Sequence, residues 1–156
     1  MPDSDKTIIG KLEALKHIHR VRHFLYLMIA ELDKRAREHD QSKLESPEAE
    51  IYGEFTAELA KVEYMSPEYK VLLEKVRPAV EHHYSKNRHH PQFDPEGING
   101  MDLIDILEML ADWRAATERS PNGNIYTSIS KNQERFHISD QLARILRNTV
   151  RNVFKE

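Results

Sequence analysis

Nine histidines and no cysteine decide which metal ligands this 156-residue sequence can offer. Four of the histidines fall within nine positions, as His82-His83 and His89-His90. Hydrophobic packing alone does not explain so many polar rings in one short segment. Another histidine precedes Asp40, and that neighbouring pair supplies one nitrogen ligand and one carboxylate able to bridge two ions. These clusters predict a divalent-metal site, although each alone is also compatible with a charged surface patch.

A third candidate is a segment that carries three carboxylates. Asp105, Glu108 and Asp112 are spaced i, i+3 and i+7, so on a helix they lie along one narrow strip. The positions between them are mostly apolar, which predicts a largely buried helix. Buried carboxylates need a metal ion or a cationic partner, here Arg114 or Arg119. The alternative is that the strip is simply the solvated face of the helix.

The elements that position these residues are all predicted to be helices. Apolar residues recur at spacings of three, four and seven, while glycine is scarce and β-branched alternation is nearly absent. Ser66 is the expected N-cap of one helix, with Pro67 in its first position and Pro78 bending it. The predicted helices cover about 6–38, part of 44–64, 66–83, 101–117, 124–136 and 139 onward. We therefore predict an all-α fold, a compact bundle of five to seven helices forming one domain over 1–156.

Composition narrows the classes of protein to consider. A net charge of −3 gives no overall basic field for nucleic acid, and no apolar stretch is long enough to cross a bilayer. The absence of cysteine and of a secretory signal favours a cytoplasmic protein. No glycine-rich phosphate loop or serine elbow is present. The long first helix would serve a homodimer seam as well as an intramolecular core, so the sequence leaves the oligomeric state open.

The order of the metal-binding motifs resembles the histidine–aspartate (HD) superfamily of all-helical, metal-dependent phosphohydrolases. The segment 39–43, His-Asp-Gln-Ser-Lys, resembles the His-Asp-x-x-Lys of the HD-GYP phosphodiesterase branch, in which the lysine lies beside the metals and helps to hold phosphate. The segments 79–83 and 107–112 resemble that branch's paired histidines and last metal aspartate. The resemblance covers about 15–117. The helices over 124–156 lie outside it, and the whole chain also resembles an uncharacterised family of small bacterial and phage proteins.

The resemblance implies a ligand set and a chemistry. One or two ions of Mn, Fe, Co, Ni or Zn would be held by His17, His39, Asp40, Asp112 and one or both of His82 and His83. Lys43, Asp105 and Glu108 would assist catalysis. The side chains expected to face an anionic substrate are Arg88, His89, His90 and Arg119. The Gly-Tyr-Pro element of the HD-GYP branch is absent, so cleavage of cyclic dinucleotides is not implied.

The predicted function is hydrolysis of a nucleotide or other small phosphate ester by a metal-activated water. A di-iron oxygenase and a non-catalytic, metal-stabilised binding protein are the alternatives. One ligand presents a geometric difficulty, since 22 residues of continuous helix put His17 about 33 Å from His39. Apolar periodicity favours that continuity, whereas the superfamily pattern requires a break near Leu27–Ala30.

Overall fold

A computed structural model describes residues 5–59 and 67–155 of this chain, and within them every regular element is a helix. The α-helices are α1 Asp5–Glu38, α2 Glu48–Leu59, α3 Pro67–Lys86, α4 Leu103–Thr117, α5 Ile125–Arg135 and α6 Asp140–Thr149. Short 3-10 turns cover Gln41–Leu44 and Gly97–Gly100, and a π-helical turn covers Val150–Phe154. The predicted all-α fold is confirmed. The predicted N-cap Ser66 lies outside the described residues.

The chain divides into two compact units, Met1–Arg37 and Glu38–Glu156. In the first unit, α1 continues through 27–30 without the break considered above. At the usual rise, about 30 Å of helix separates the exposed His17 from Arg37, and the break that a shared metal would need is absent from this helix. The predicted burial of the apolar stripe is not found either, because no residue of α1 is buried.

The core of the second unit lies among α4, α5 and α6. An aromatic pair extends this core: Trp113 of α4 stacks on Phe136, with their ring centroids 6.4 Å apart. The buried members of this core are Ile106, Met109, Leu110, Trp113, Ile125, Ile129, Ile138, Ala143, Leu146 and Val150. α5 and α6 begin at the N-caps Asn124 and Ser139, whose side chains accept backbone N–H groups. The predicted start of the last helix at Ser139 is therefore confirmed.

A second packed region pairs α2 with α3. α3 buries Leu72, Val76 and Ala79, and it continues past Pro78 to Lys86, one turn beyond its predicted end. No described helix has both the length and the apolar composition of a membrane span. The turns at 87–102 then lead into α4, which starts with a capping box made by Asp102 and Asp105.

Replacing Leu146 by alanine tests the assignment of this core. Leu146 is 2% exposed, so truncating it leaves a cavity, and we expect the free energy of unfolding to fall by about 3 kcal/mol. Its neighbour Ile145 is 52% exposed and provides the matched control, for which we expect a change within about 0.5 kcal/mol. Urea unfolding followed by circular dichroism measures both. Equal losses for the two variants would contradict the core as described.

Candidate metal centre

The centre begins at the turn that follows α1. Asp40 has φ 55°, a left-handed backbone conformation that is unfavourable for most side chains and tolerated by aspartate. Its two carboxylate oxygens face different neighbours. Oδ2 accepts a hydrogen bond from Lys43 Nζ at 2.6 Å, whereas Oδ1 faces His83 and His89. The turn thus presents Asp40 to two sets of side chains.

The first ligand set consists of Asp40, His83, His89 and His90, whose ligand atoms all lie within 4.8 Å of one another. Asp40 Oδ1 is 3.3 Å from His83 Nε2 and 3.5 Å from His89 Nε2. His83 Nε2 is in turn 2.8 Å from His90 Nε2. Because three Nε2 atoms and one carboxylate oxygen converge, the set offers nitrogen and oxygen ligands to one cation.

Two atoms of this set lack a hydrogen-bond partner. Among the described residues, Asp40 Oδ1 and His89 Nε2 are buried polar atoms with no hydrogen bond of acceptable geometry. A buried polar atom left in this state costs on the order of 1–3 kcal/mol. A cation placed between a carboxylate oxygen and an imidazole nitrogen satisfies both at once. The residues present therefore fit a bound metal ion.

The second ligand set consists of His39, Asp40 and Asp112. His39 Nε2 lies 3.5 Å from Asp40 Oδ2 and 3.8 Å from Asp112 Oδ1. Asp40 is common to both sets, and its two oxygens face different histidines, so this carboxylate would serve two ions if both sets were occupied.

Two glutamates lie behind the histidines. Glu108 Oε1 is 2.9 Å from His39 Nδ1 and 3.0 Å from His89 Nδ1. His39, His89 and Glu108 also lie close enough together to be considered as a third ligand set. Because these are hydrogen-bond distances, we interpret the three instead as two rings held by a shared acceptor. The second glutamate, Glu48, contacts the Nδ1 atoms of His82 and His83. Sequence reasoning missed Glu48, because it lies in the ambiguous segment 44–64 and no motif or spacing distinguishes it.

Comparison with known proteins places the chain in a family. A family model described as a family of unknown function, DUF5662, matches residues 10–153. The chain belongs to DUF5662. No curated protein and no solved structure matches it.

The electrostatics of the first ligand set keep Asp40 and His90 in metal-binding protonation states. Burial alone would raise the pKa of Asp40, but the neighbouring His83 and Lys43 outweigh it and hold that pKa well below its ordinary value. Burial, together with the charges of His89 and His83, lowers the pKa of His90 to about 3. Near neutral pH, Asp40 is therefore a carboxylate and His90 a neutral imidazole, the forms that coordinate metals.

His39 differs from His90 in its protonation. The hydrogen bond to Glu108 raises the pKa of His39 against the opposing effect of burial, and the carboxylates of Asp40 and Asp112 raise it further. Without a metal, His39 therefore holds a proton more readily than an ordinary histidine. A metal ion in the second set would have to displace that proton.

Several side chains that the sequence placed at the site have other partners in this DUF5662 structure. His82 is in none of the described ligand groups and contacts Glu48 through Nδ1 at 2.8 Å. His89 was expected at the rim facing substrate, but it is 1% exposed and belongs to the ligand cluster. His90 also joins that cluster. Arg119 is exposed in the turn after α4.

Asp105 and Arg88 form an ion pair with each other. Arg88 donates from Nε and Nη2 to the two oxygens of Asp105, at 3.2 and 3.0 Å. Asp105 is 1% exposed, and its Oδ2 also accepts the backbone N–H of Asp102. The structure thus gives Asp105, which was predicted to assist catalysis, a place in the capping box that starts α4.

Proposed function

We propose that this DUF5662 chain binds a divalent transition-metal ion at Asp40, His83, His89 and His90 and hydrolyses a phosphate ester. The observation that carries the proposal is the pair of buried, unpartnered atoms, Asp40 Oδ1 and His89 Nε2, which face each other at 3.5 Å within a ring of ligand atoms. The substrate we propose is a nucleotide or another small phosphorylated molecule, on the strength of the HD-like motifs.

The donor set supports the choice of metal. Three imidazoles and one carboxylate, with no thiolate in the chain, suit Mn, Fe, Co, Ni or Zn better than Mg or Ca. When bound, such an ion lowers the pKa of a coordinated water and polarises a phosphoryl oxygen. His39 and Asp112 extend the centre to a second ion that would share Asp40.

The chain's own side chains supply the remaining roles. Lys43 is 37% exposed and lies 2.6 Å from Asp40, so its ammonium group is placed to neutralise the charge of a phosphate held beside that carboxylate. Glu108 holds His39 and His89 by their Nδ1 atoms and so orients their Nε2 atoms. Glu108 Oε1 already accepts hydrogen bonds from two rings. When only the first ligand set holds an ion, Asp112 is not a metal ligand and is 25% exposed. We therefore assign Asp112 as the acceptor of the proton from the attacking water.

Two ligand sets that share one carboxylate also suit a di-iron centre. This observation makes a di-iron oxygenase the second candidate function. The two candidates differ in their need for iron and for oxygen, and one experiment can separate them.

A metal-reconstitution assay tests the proposal. The protein would be stripped with a chelator, reloaded separately with Mn, Fe, Co, Ni or Zn, and incubated with p-nitrophenyl phosphate, its bis-ester and a panel of nucleotides. We expect release of phosphate or nitrophenol only after reloading, with at least a 100-fold loss for Asp40→Asn. Glu81→Gln, an exposed change beside His82, is the control and should keep full activity.

The other outcomes are equally informative. Oxygen consumption that requires iron and no other metal would support the oxygenase instead. Metal binding without turnover of any phosphate ester would overturn hydrolysis and leave a metal-stabilised binding protein.

A further inference from the structure

We infer that Glu48 is a positioning residue of the centre, which fixes the rings of His82 and His83 so that His83 presents its Nε2 atom to the metal. The inference rests on the proposed metal site and adds to it a residue outside every ligand group described above.

Glu48 is the first residue of α2 and is 0% exposed. Its Oε1 lies 2.8 Å from His82 Nδ1 and its Oε2 lies 2.9 Å from His83 Nδ1. A carboxylate only accepts hydrogen bonds, so these two contacts place the hydrogen of each ring on its Nδ1 atom.

The position of that hydrogen decides what His83 can bind. With Nδ1 protonated, the neutral ring has its lone pair on Nε2, the atom that lies 3.3 Å from Asp40 Oδ1 and 2.8 Å from His90 Nε2. Asn87 Nδ2 also lies 3.0 Å from His83 Nδ1, but its two hydrogens are donated to the carbonyl oxygen of His83 at 2.8 Å and to Ser42 Oγ at 2.9 Å. The Nδ1 atom therefore keeps Glu48 as its acceptor. Glu48 thereby selects the tautomer of His83 that a metal requires.

The same arrangement recurs on the other side of the centre. Glu108 accepts from the Nδ1 atoms of His39 and His89, just as Glu48 accepts from those of His82 and His83. His83 and His89, which come from different pairs, thus both have Nδ1 on a glutamate and Nε2 towards Asp40. Burying a carboxylate carries a large desolvation cost, and an apolar residue would serve packing alone at least as well. Orientation of metal ligands accounts for keeping a charge there.

The test compares Glu48→Gln and Glu48→Ala with Glu50→Gln, a change of an exposed glutamate in the same turn of α2. Zn²⁺ and Co²⁺ affinities would be measured by competition with a chelating dye, and unfolding by urea. Nitrogen-15 NMR of the metal-free proteins would report the tautomer of each ring. We expect Glu48→Ala to bind metal about 10- to 100-fold more weakly, and His83 to lose its strict preference for a protonated Nδ1.

Glu48→Gln keeps the shape of the side chain and so remains informative if the alanine variant does not fold. Its single amide oxygen can accept from one Nδ1 well, so we expect an intermediate loss of affinity and a mixed tautomer population. Unchanged affinity and tautomers in Glu48→Gln would overturn the inference, as would a loss of unfolding free energy alone. If the wild-type protein binds no metal, the proposed function fails, whereas the tautomer spectra still show whether Glu48 sets the ring of His83.

Discussion

Asp40→Asn is expected to abolish tight metal binding, lowering affinity at least 100-fold and leaving the purified protein essentially metal-free. Asp40 is the only residue that belongs to both the His83–His89–His90 set and the His39–Asp112 set. Asparagine keeps the size of the side chain but removes the negative charge, and it turns one of the two oxygens into an N–H donor. The His83–His89–His90 set then has no anionic ligand, and the His39–Asp112 set keeps only Asp112 to balance a divalent charge.

Metal content by inductively coupled plasma mass spectrometry and dye competition would measure this loss. His89→Ala should act in the same direction, because His89 is 1% exposed and its Nε2 faces Asp40 Oδ1. His137→Ala, a change of an exposed histidine outside every ligand group, is the matched control and should retain the wild-type metal content. Full metal content in Asp40→Asn would contradict the site, whatever the activity of that variant.

Arg88→Ala is expected to lower the free energy of unfolding by about 3 kcal/mol while leaving metal content unchanged. The substitution strips the bidentate partner from the carboxylate of Asp105, whose side chain is 2% exposed, and leaves that charge buried. Losses of about 3–5 kcal/mol are typical when one partner of a buried pair is removed. We take the lower end because Arg88 itself is 47% exposed and solvent screens the pair.

The control for this prediction is Arg77→Ala. Arg77 forms exposed ion pairs with Glu74 and Glu81, for which a change within about 0.5 kcal/mol is expected. Arg88→Lys should fall between the two, because an ammonium cannot reproduce the two-pronged contact with Asp105. Urea unfolding and metal analysis would be measured on the same samples. A loss as small as that of Arg77→Ala would favour the substrate-binding role that the sequence suggested for Arg88.

Local sequence patterns predicted most of the helices correctly. The helix expected over 124–136 is Ile125–Arg135, and the one expected over 101–117 is Leu103–Thr117. Periodicity and capping succeed here because a helix is stabilised by groups within one turn of each other. The limits of the same reasoning appear in α1, whose length was predicted but whose apolar residues are not buried. Burial depends on what else packs against a helix, and periodicity does not contain that information.

The metal centre was likewise predicted only in part from the sequence. The residue types and their spacing identified His39, Asp40, His83 and Asp112 as candidates, and the structure brings these four into two sets joined by Asp40. It also moves His89 from the expected rim into the buried cluster and leaves His82 outside the ligand groups.

Local sequence patterns were enough to predict that this chain is helical and that its candidate metal ligands are imidazoles and carboxylates. They could not predict which nitrogen of each histidine faces the centre, because that orientation depends on hydrogen-bond acceptors distant in the sequence. Glu48 lies 35 positions before His83, and Glu108 lies 69 positions after His39. No local pattern links residues so far apart, whereas folding places them within 3 Å of each other and so sets the hydrogen bonds that orient the ligands.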